Sequence, residues 1–192
     1  MNDSSTGAAF DDPTELATFV TTDIAGITRG RSFAAADIED YLRKGVGWVP
    51  ANLALTPFDL IADPNPWGSA GDLRLMADAA SRARVTCLPD VTPLHFYHCD
   101  ITDLKGEPWD CCVRSFLKAT LAEFERDAGL KVVGAVEQEF QILGADWPAA
   151  PAFGLRAQRR AEPFGPLLMT ALKQAGVEPE MFLPEYGKDQ FE

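Results

Sequence analysis

Histidine and cysteine are scarce in this sequence, and no apolar run is long. Among 192 residues there are two histidines and four cysteines. Cys87, Cys99, Cys111 and Cys112 are too few and too unevenly spaced for a disulfide framework, so reduced thiols are expected. Metal-binding residue types crowd together in HFYHCD, with His95, His98 and Cys99. No second ligand pair stands at finger-like spacing elsewhere, so a half-buried strand is the better reading. No stretch approaches the roughly 20 apolar residues of a membrane span. The start, MNDSSTGAAFDDPTE, is acidic and polar and lacks a signal-peptide pattern, so a cytoplasmic location with no membrane partner is expected. Positive charge is short as well: 17 Lys and Arg against 29 Asp and Glu leave a net charge of −12. That balance argues against a nucleic-acid partner and is compatible with a site that collects cations. Hydrophobic content of 46% and charged content of 24% are those of an ordinary globular protein, long enough for one sizeable core or two small ones.

In chain order, residues 1–14 read as a polar, disordered lead-in. ELATFVTTDIAGITRGRSF reads as a hairpin turning at Gly26, with Arg29 and Arg31 near its second strand. AAADIEDYLRKG places Ile38, Tyr41 and Leu42 at helical spacing, with Asp37 as N-cap and Gly45 as stop. From 46 to 90, prolines and glycines break the chain into long loops and short strands such as LRLMAD and ARVTCLPD. Trp48, Phe58 and Trp67 in this stretch have the composition of a contact surface, and equally of a local core. TPLHFYHCDI is a further strand, and DLKGEPWD a turn at Gly106. In WDCCVRSFLKATLAEFERDAGL a stripe of Leu117, Leu121, Phe124 and Ala128 predicts a helix capped by Asp110 and ended by Gly129. GADWPAAPAFGLRAQRR reads as a connection, and AEPFGPLLMTALKQAGVEP as a second helix stopped by Gly176. These patterns predict an α+β fold, with one domain over 15–103 and a second beginning at 104 and running to 192.

KVVGAVEQEFQIL, residues 131–143, is the stretch that carries chemistry. At the strand period of two, Val132, Val136, Phe140 and Ile142 share one face, and Glu137, Glu139 and Gln141 the other. Two carboxylates this close should not both be buried without positive charge between them. By itself E-x-E is better read as the solvated face of an edge strand. The last eight residues, EYGKDQFE, add Glu185 and Glu192. Seven residues apart, these point to opposite faces of an unbroken strand, and a bulge or turn at Gly187 would bring them to one side. As the last strand it is expected to be loosely anchored.

E-x-E-F, then AQRRAEPFGPLLMTALKQAGV, then E-x-G-x-x-Q-x-E resembles the glutamine synthetase family, and within it the γ-glutamylpolyamine synthetase-like proteins. GDLRLMAD is similar to the family's loop near the end of its N-terminal β-grasp domain, and CDITDLKGEPW with Arg114 to the entry into its catalytic domain. The resemblance implies a β-grasp domain followed by the start of a glutamine synthetase-type α/β catalytic domain, incomplete at Glu192. It implies Glu137 as ligand of a nucleotide-side metal and Glu139, Glu185 and Glu192 as ligands of a substrate-side metal, Mg²⁺ or Mn²⁺, with Gln190 orienting Glu192. Glu180 matches a nucleotide-contacting position, and Asp59 or Asp63 stands for the family's ammonium-binding aspartate. Neither aspartate lies in an Asp-Gly-Ser context, and Cys112-Val113-Arg114 stands where Cys-Pro-Arg is common. The implied reaction is ATP-dependent joining of the γ-carboxylate of glutamate to ammonia or an amine through a γ-glutamyl phosphate, in a homo-oligomeric ring. The histidine, further glutamate and arginines that complete such a site cannot be placed in this chain. Inactivity of this stretch alone is therefore expected, and a non-catalytic relative with a structural or regulatory role is the alternative.

Overall fold

The computed structural model describes residues 14–68 and 70–192; all but the last residue of the expected lead-in lies outside them. The first part is a six-stranded mixed sheet. β1 (Leu16–Thr22) and β2 (Thr28–Ala34) form the expected hairpin, with Gly26 at φ 79° in its turn, and α1 (Ile38–Lys44) follows. Asp37 stands at the N-cap position, but its side chain makes no capping hydrogen bond. Three further strands then line up in the loop-rich stretch: β3 (Val46–Trp48), β4 (Leu73–Ala77) and β5 (Ala83–Val85). β3 was not legible, because three residues are too few to show a period.

The centre of the sheet is β6 (Leu94–Thr102). One of its edges pairs in parallel with β1, Ala17 to His95 and Phe19 to Tyr97. The other edge is shared end to end by β5, at Val85 to Leu94, and β4, at Leu75 to Ile101. The order is β2-β1-β6-β4-β3, and the parallel pair requires the long crossover that carries α1, β3 and β4. Alternation along β6 buries His95, Tyr97, Cys99 and Ile101 and leaves His98 exposed. Tyr97, Cys99 and Ile101 make the main core with Phe19, Leu75, Phe33 and Trp48, and Phe33 stacks on Tyr41 of α1 at 3.9 Å. Trp48 is therefore core rather than contact surface, at 6% exposure, whereas Phe58 is exposed and Trp67 packs edge-on against Trp109.

The turn at Gly106 leads into α2 (Val113–Ala128). Its N-cap is Cys112, whose Sγ accepts from the Ser115 amide, not Asp110, because the chain from Trp109 to Cys112 turns back and buries Cys112 against Ile101. Gly129, at φ 66° and ψ 19°, closes the helix as expected. Arg114 bridges Asp78 at 2.7 Å and Asp100 at 2.8 Å, fastening the first turn of α2 to β4 and β6. Burial opposes ionisation of Asp100, but the ammonium of Lys118 and the guanidinium of Arg114 hold its carboxyl below the usual range.

Beyond α2 the expected strand over 131–143 is mostly absent: only β7 (Phe140–Gln141) pairs, and Val132, Val133 and Val136 are exposed. A strand needs a neighbour for its backbone, and among the described residues 131–139 have none. α3 (Leu155–Arg159) lies inside the segment read as a plain connection. α4 (Phe164–Gln174) then docks on the sheet, where Gln174 Oε1 accepts from the amides of Thr86 and Cys87 at 2.7 and 3.2 Å. β8 (Gln190–Phe191) completes the described elements. No helix among the described residues is long and apolar enough to cross a membrane.

Candidate active site

β7 and β8 are short, yet their register decides where the glutamates stand. Phe140 pairs with Phe191 and Gln141 with Gln190, so one step further along this ladder Glu139 lies opposite Glu192. On the other side of β8, Pro184 bridges Phe191 and the Glu185 amide donates to Gln190 O at 2.9 Å. Residues directly opposite in antiparallel strands point to the same face. Glu139, Glu185, Gln190 and Glu192 therefore share one side of a three-segment ribbon. The expected turn at Gly187 achieves this: Gln190 N donates to Gly187 O, and Asp189 at φ 55° reverses the chain.

The opposite side of the ribbon is apolar. Phe191 is fully buried, stacked on Phe182 at 5.2 Å and 5° and surrounded by Phe140 and Trp147. The last strand is thus held, contrary to the expectation of loose anchoring, because burial of one large aromatic outweighs the shortness of the ladder. The two backbone hydrogen bonds between Leu183 and Glu192, each 3.0 Å, add to it.

Electrostatics marks the polar side as a meeting point of like charge. Lost hydration, and then the negative charges of Glu137, Glu185 and Glu139, push the Glu192 carboxyl above the usual carboxylate range. Gln190 bonds differently from the sequence-based expectation. Its Nε2 donates to Glu139 Oε2 at 2.5 Å and its Oε1 accepts from the Gly187 amide at 2.9 Å, so it orients Glu139 rather than Glu192. Gln190 and Glu192 share a face along one strand, but the ladder puts Glu139 within reach of the amide. That register was not readable from the sequence.

The remaining candidates lie elsewhere. Glu180 lines a groove of about 410 Å³ with Arg159, Glu162, Met169 and Phe182, and none of the four glutamates belongs to that lining. Asp59 is exposed at φ 60° and paired with Arg29 at 2.6 Å. Asp63 is exposed and precedes Pro64. His95 is buried, its Nδ1 2.9 Å from Glu15 Oε1, while Nε2 accepts from Arg82 Nε at 3.1 Å. An accepting Nε2 leaves the ring proton on Nδ1, so the imidazole is neutral, in line with burial lowering its pKa. Cys99 faces the core, and burial pushes its thiol up to about 12. His98 is exposed on the other face of β6, so His95, His98 and Cys99 do not converge on one point.

Among the described residues no group of three or more His, Cys, Asp or Glu side chains is arranged to hold a metal ion. The donor chemistry of the ribbon still fits a hard divalent cation, since it offers carboxylate oxygens whose mutual repulsion a cation would relieve.

The pattern of the glutamine synthetase N-terminal domain matches residues 5–109. The chain belongs to the glutamine synthetase family. Over 179 residues it is 31% identical to the gamma-glutamylpolyamine synthetase GlnA3 of Streptomyces coelicolor, across 88% of this chain and 38% of that protein. A crystal structure of a novel glutamine synthase homolog superposes with a TM-score of 0.89 at 50% identity, covering 95% of this chain and 43% of the other. The GmaS/ADP complex shares the fold, with a TM-score of 0.64 at 20% identity over 93% of this chain and 40% of its own. The chain spans about two fifths of the length of these relatives.

Proposed function

We propose that the parent protein is an ATP-dependent carbon–nitrogen ligase that joins the γ-carboxylate of glutamate to ammonia or an amine through a γ-glutamyl phosphate. The observation that carries this reading is the shared face of Glu139, Glu185 and Glu192, with Glu137 near enough to raise the Glu192 pKa. In this reading Glu137 holds a nucleotide-side Mg²⁺ or Mn²⁺, and Glu139, Glu185 and Glu192 hold a substrate-side one. Bound there, the cations neutralise phosphate charge and hold the two anionic substrates together. Gln190 fixes the rotamer of Glu139, and the stacked Phe191 fixes the height of Glu192 above the apolar layer. Glu180 contacts nucleotide, and Asp59 or Asp63 binds the amine.

We read the sheet, with α1 across it and β1 parallel to β6, as the family's β-grasp domain over 15–103, followed by the catalytic domain from 104. Its loops would close a neighbouring subunit's site in a homo-oligomeric ring. Glutamate- and amine-dependent ADP release by the parent protein tests the reaction. Turnover with ammonia or one member of a polyamine and monoamine panel is expected, and no turnover with any of them would overturn it.

A second reading has its own observation. The four glutamates are not arranged to enclose a metal within this chain, which favours a non-catalytic, structural or regulatory role for the stretch by itself. Mn²⁺ titration of the 192-residue chain tests it. Weak or no binding agrees with that role, and tight binding abolished by Glu139→Ala contradicts it.

A further inference from the structure

The two edge strands of the sheet, β2 and β3, lie at opposite ends of the strand order yet flank one groove of about 450 Å³. The sheet curls enough to bring Arg31 of β2 beside Arg74 of β4, which pairs with Gly47 of β3. A β-carbon added at Gly47 would lie 3.4 Å from Nη1 of each arginine, so two guanidiniums converge over a bare stretch of backbone. Arg31 shares a face of β2 with buried Phe33, which sets it toward α1. Lys44 of α1 adds a third cation to the lining, beside Tyr41.

Like charges that converge normally have a counter-charge between them. Here none of the lining residues is acidic, and among the described residues neither Arg31 nor Arg74 is in an ion pair. Lys44 is already paired with Asp40 at 2.8 Å on the surface of α1, where Asp40 also takes Arg43 at 2.6 Å, so the two arginines are the cations of the groove left without a carboxylate among the described residues. In a chain of net charge −12, two guanidiniums converging in a groove with no acidic lining residue are a local inversion of sign.

The geometry points to an oxyanion site in this groove, distinct from the glutamate ribbon, that takes a compact dianion of the phosphate or phosphate-monoester class. Two planar forks suit an oxyanion bidentately. A dianion balances two guanidiniums where a monocarboxylate leaves one unmatched. Gly47 keeps the floor of the groove open between them.

Calorimetric titration of the 192-residue chain with inorganic phosphate tests this. Saturable one-to-one binding is expected, weakened at least about tenfold by Arg31→Ala and by Arg74→Ala, since hydrogen bonds to charged groups carry that much. Lys173→Ala, which removes an exposed cation on α4, should change nothing. Gly47→Asp, which sets a carboxylate between the two arginines, should abolish phosphate binding and raise the melting temperature. That rise has the opposite sign to misfolding. Heat that never saturates, binding that survives both arginine substitutions, or equal binding of L-glutamate would each overturn the proposal.

Discussion

In the sheet, Phe19 of β1, Leu75 of β4, and Cys99 and Ile101 of β6 are fully buried in one common cluster. In the stretch after it, α2 carries as regular an apolar stripe and buries none of it: Phe116, Leu117, Leu121 and Phe124 are 71, 56, 41 and 42% exposed. Val133 and Val136, on the way to the glutamates, are exposed too. A pattern in sequence specifies which face is apolar. Only a partner element turns that face into a core. The second region finds apolar partners locally, at the Phe140, Phe164, Phe182 and Phe191 cluster and where α4 meets β5, whereas α2 is tied to the sheet by the ion pairs of Arg114 and Lys118 and buries no apolar side chain.

The contrast is broken most sharply by truncating one residue from each region. Phe19→Ala should lower the stability of the sheet by about 3–5 kcal/mol, as for other buried aromatics. Phe116→Ala in this chain should cost under about 1 kcal/mol, because the side chain is already in water. Urea midpoints at constant slope measure both; equal losses would show that α2 is packed.

Arg114→Ala comes next. It removes two ion pairs that hold the start of α2 to the strands, with a loss of about 1–3 kcal/mol. Hydrogen exchange should speed up in α2 before it does in β6. Arg114→Lys should recover only part, since an ammonium cannot fork between Asp78 and Asp100.

How far these features were legible differs by region, for the same physical reason. The hairpin at Gly26, the strand over 94–102, the helix ended by Gly129 and the turn at Gly187 all rest on local signals, and all stand where the residues put them. The alternation over 131–143 is also local, but a strand is a relation between segments. Only its end at Phe140 has a partner, and the valines before it lie in water. For Trp48 the sequence leaves contact surface and local core equally open, because its neighbours are loops, and the three residues of β3 decide for the core. The glutamates could be named from their pattern. The bond from Gln190 to Glu139, and the cap at Cys112 in place of Asp110, depend on register and on a bend that no single stretch encodes.

A smaller effect sharpens the comparison within the ribbon. Gln190→Ala removes the amide that holds Glu139 and leaves the apolar side intact, so divalent-cation affinity of the parent should fall about 10–100-fold. The melting temperature should barely move, whereas Phe191→Ala should lower it markedly.

The sheet should also be the acid-sensitive region. The Arg84 hydrogen bond, against opposing desolvation and with help from His95, lowers the Glu15 pKa from 4.5 to about 2. A lowered carboxylate contributes stability that is complete above the unfolded value and lost as pH falls from 4.5 toward 2. Burial lowers His95 as well, so its contribution is present above the unfolded value of 6.5 and declines as pH falls through and below it. Thermal melts from pH 7 to 3 should show a steeper decline for the wild type than for Glu15→Gln. Parallel curves would place the acid sensitivity elsewhere.

As proposed above, the glutamate ribbon would be a cation site of a glutamate-activating ligase. The most direct measurement is Mn²⁺ binding, read by electron paramagnetic resonance, beside glutamate-dependent ADP release in the parent protein and its Glu139→Gln and Glu192→Gln variants. These substitutions keep shape and remove charge. Each variant should lose at least one bound Mn²⁺ and nearly all ADP release while its melting temperature holds or rises, because a repelling carboxylate has been neutralised. Unchanged Mn²⁺ stoichiometry with full ADP release in both variants would contradict it.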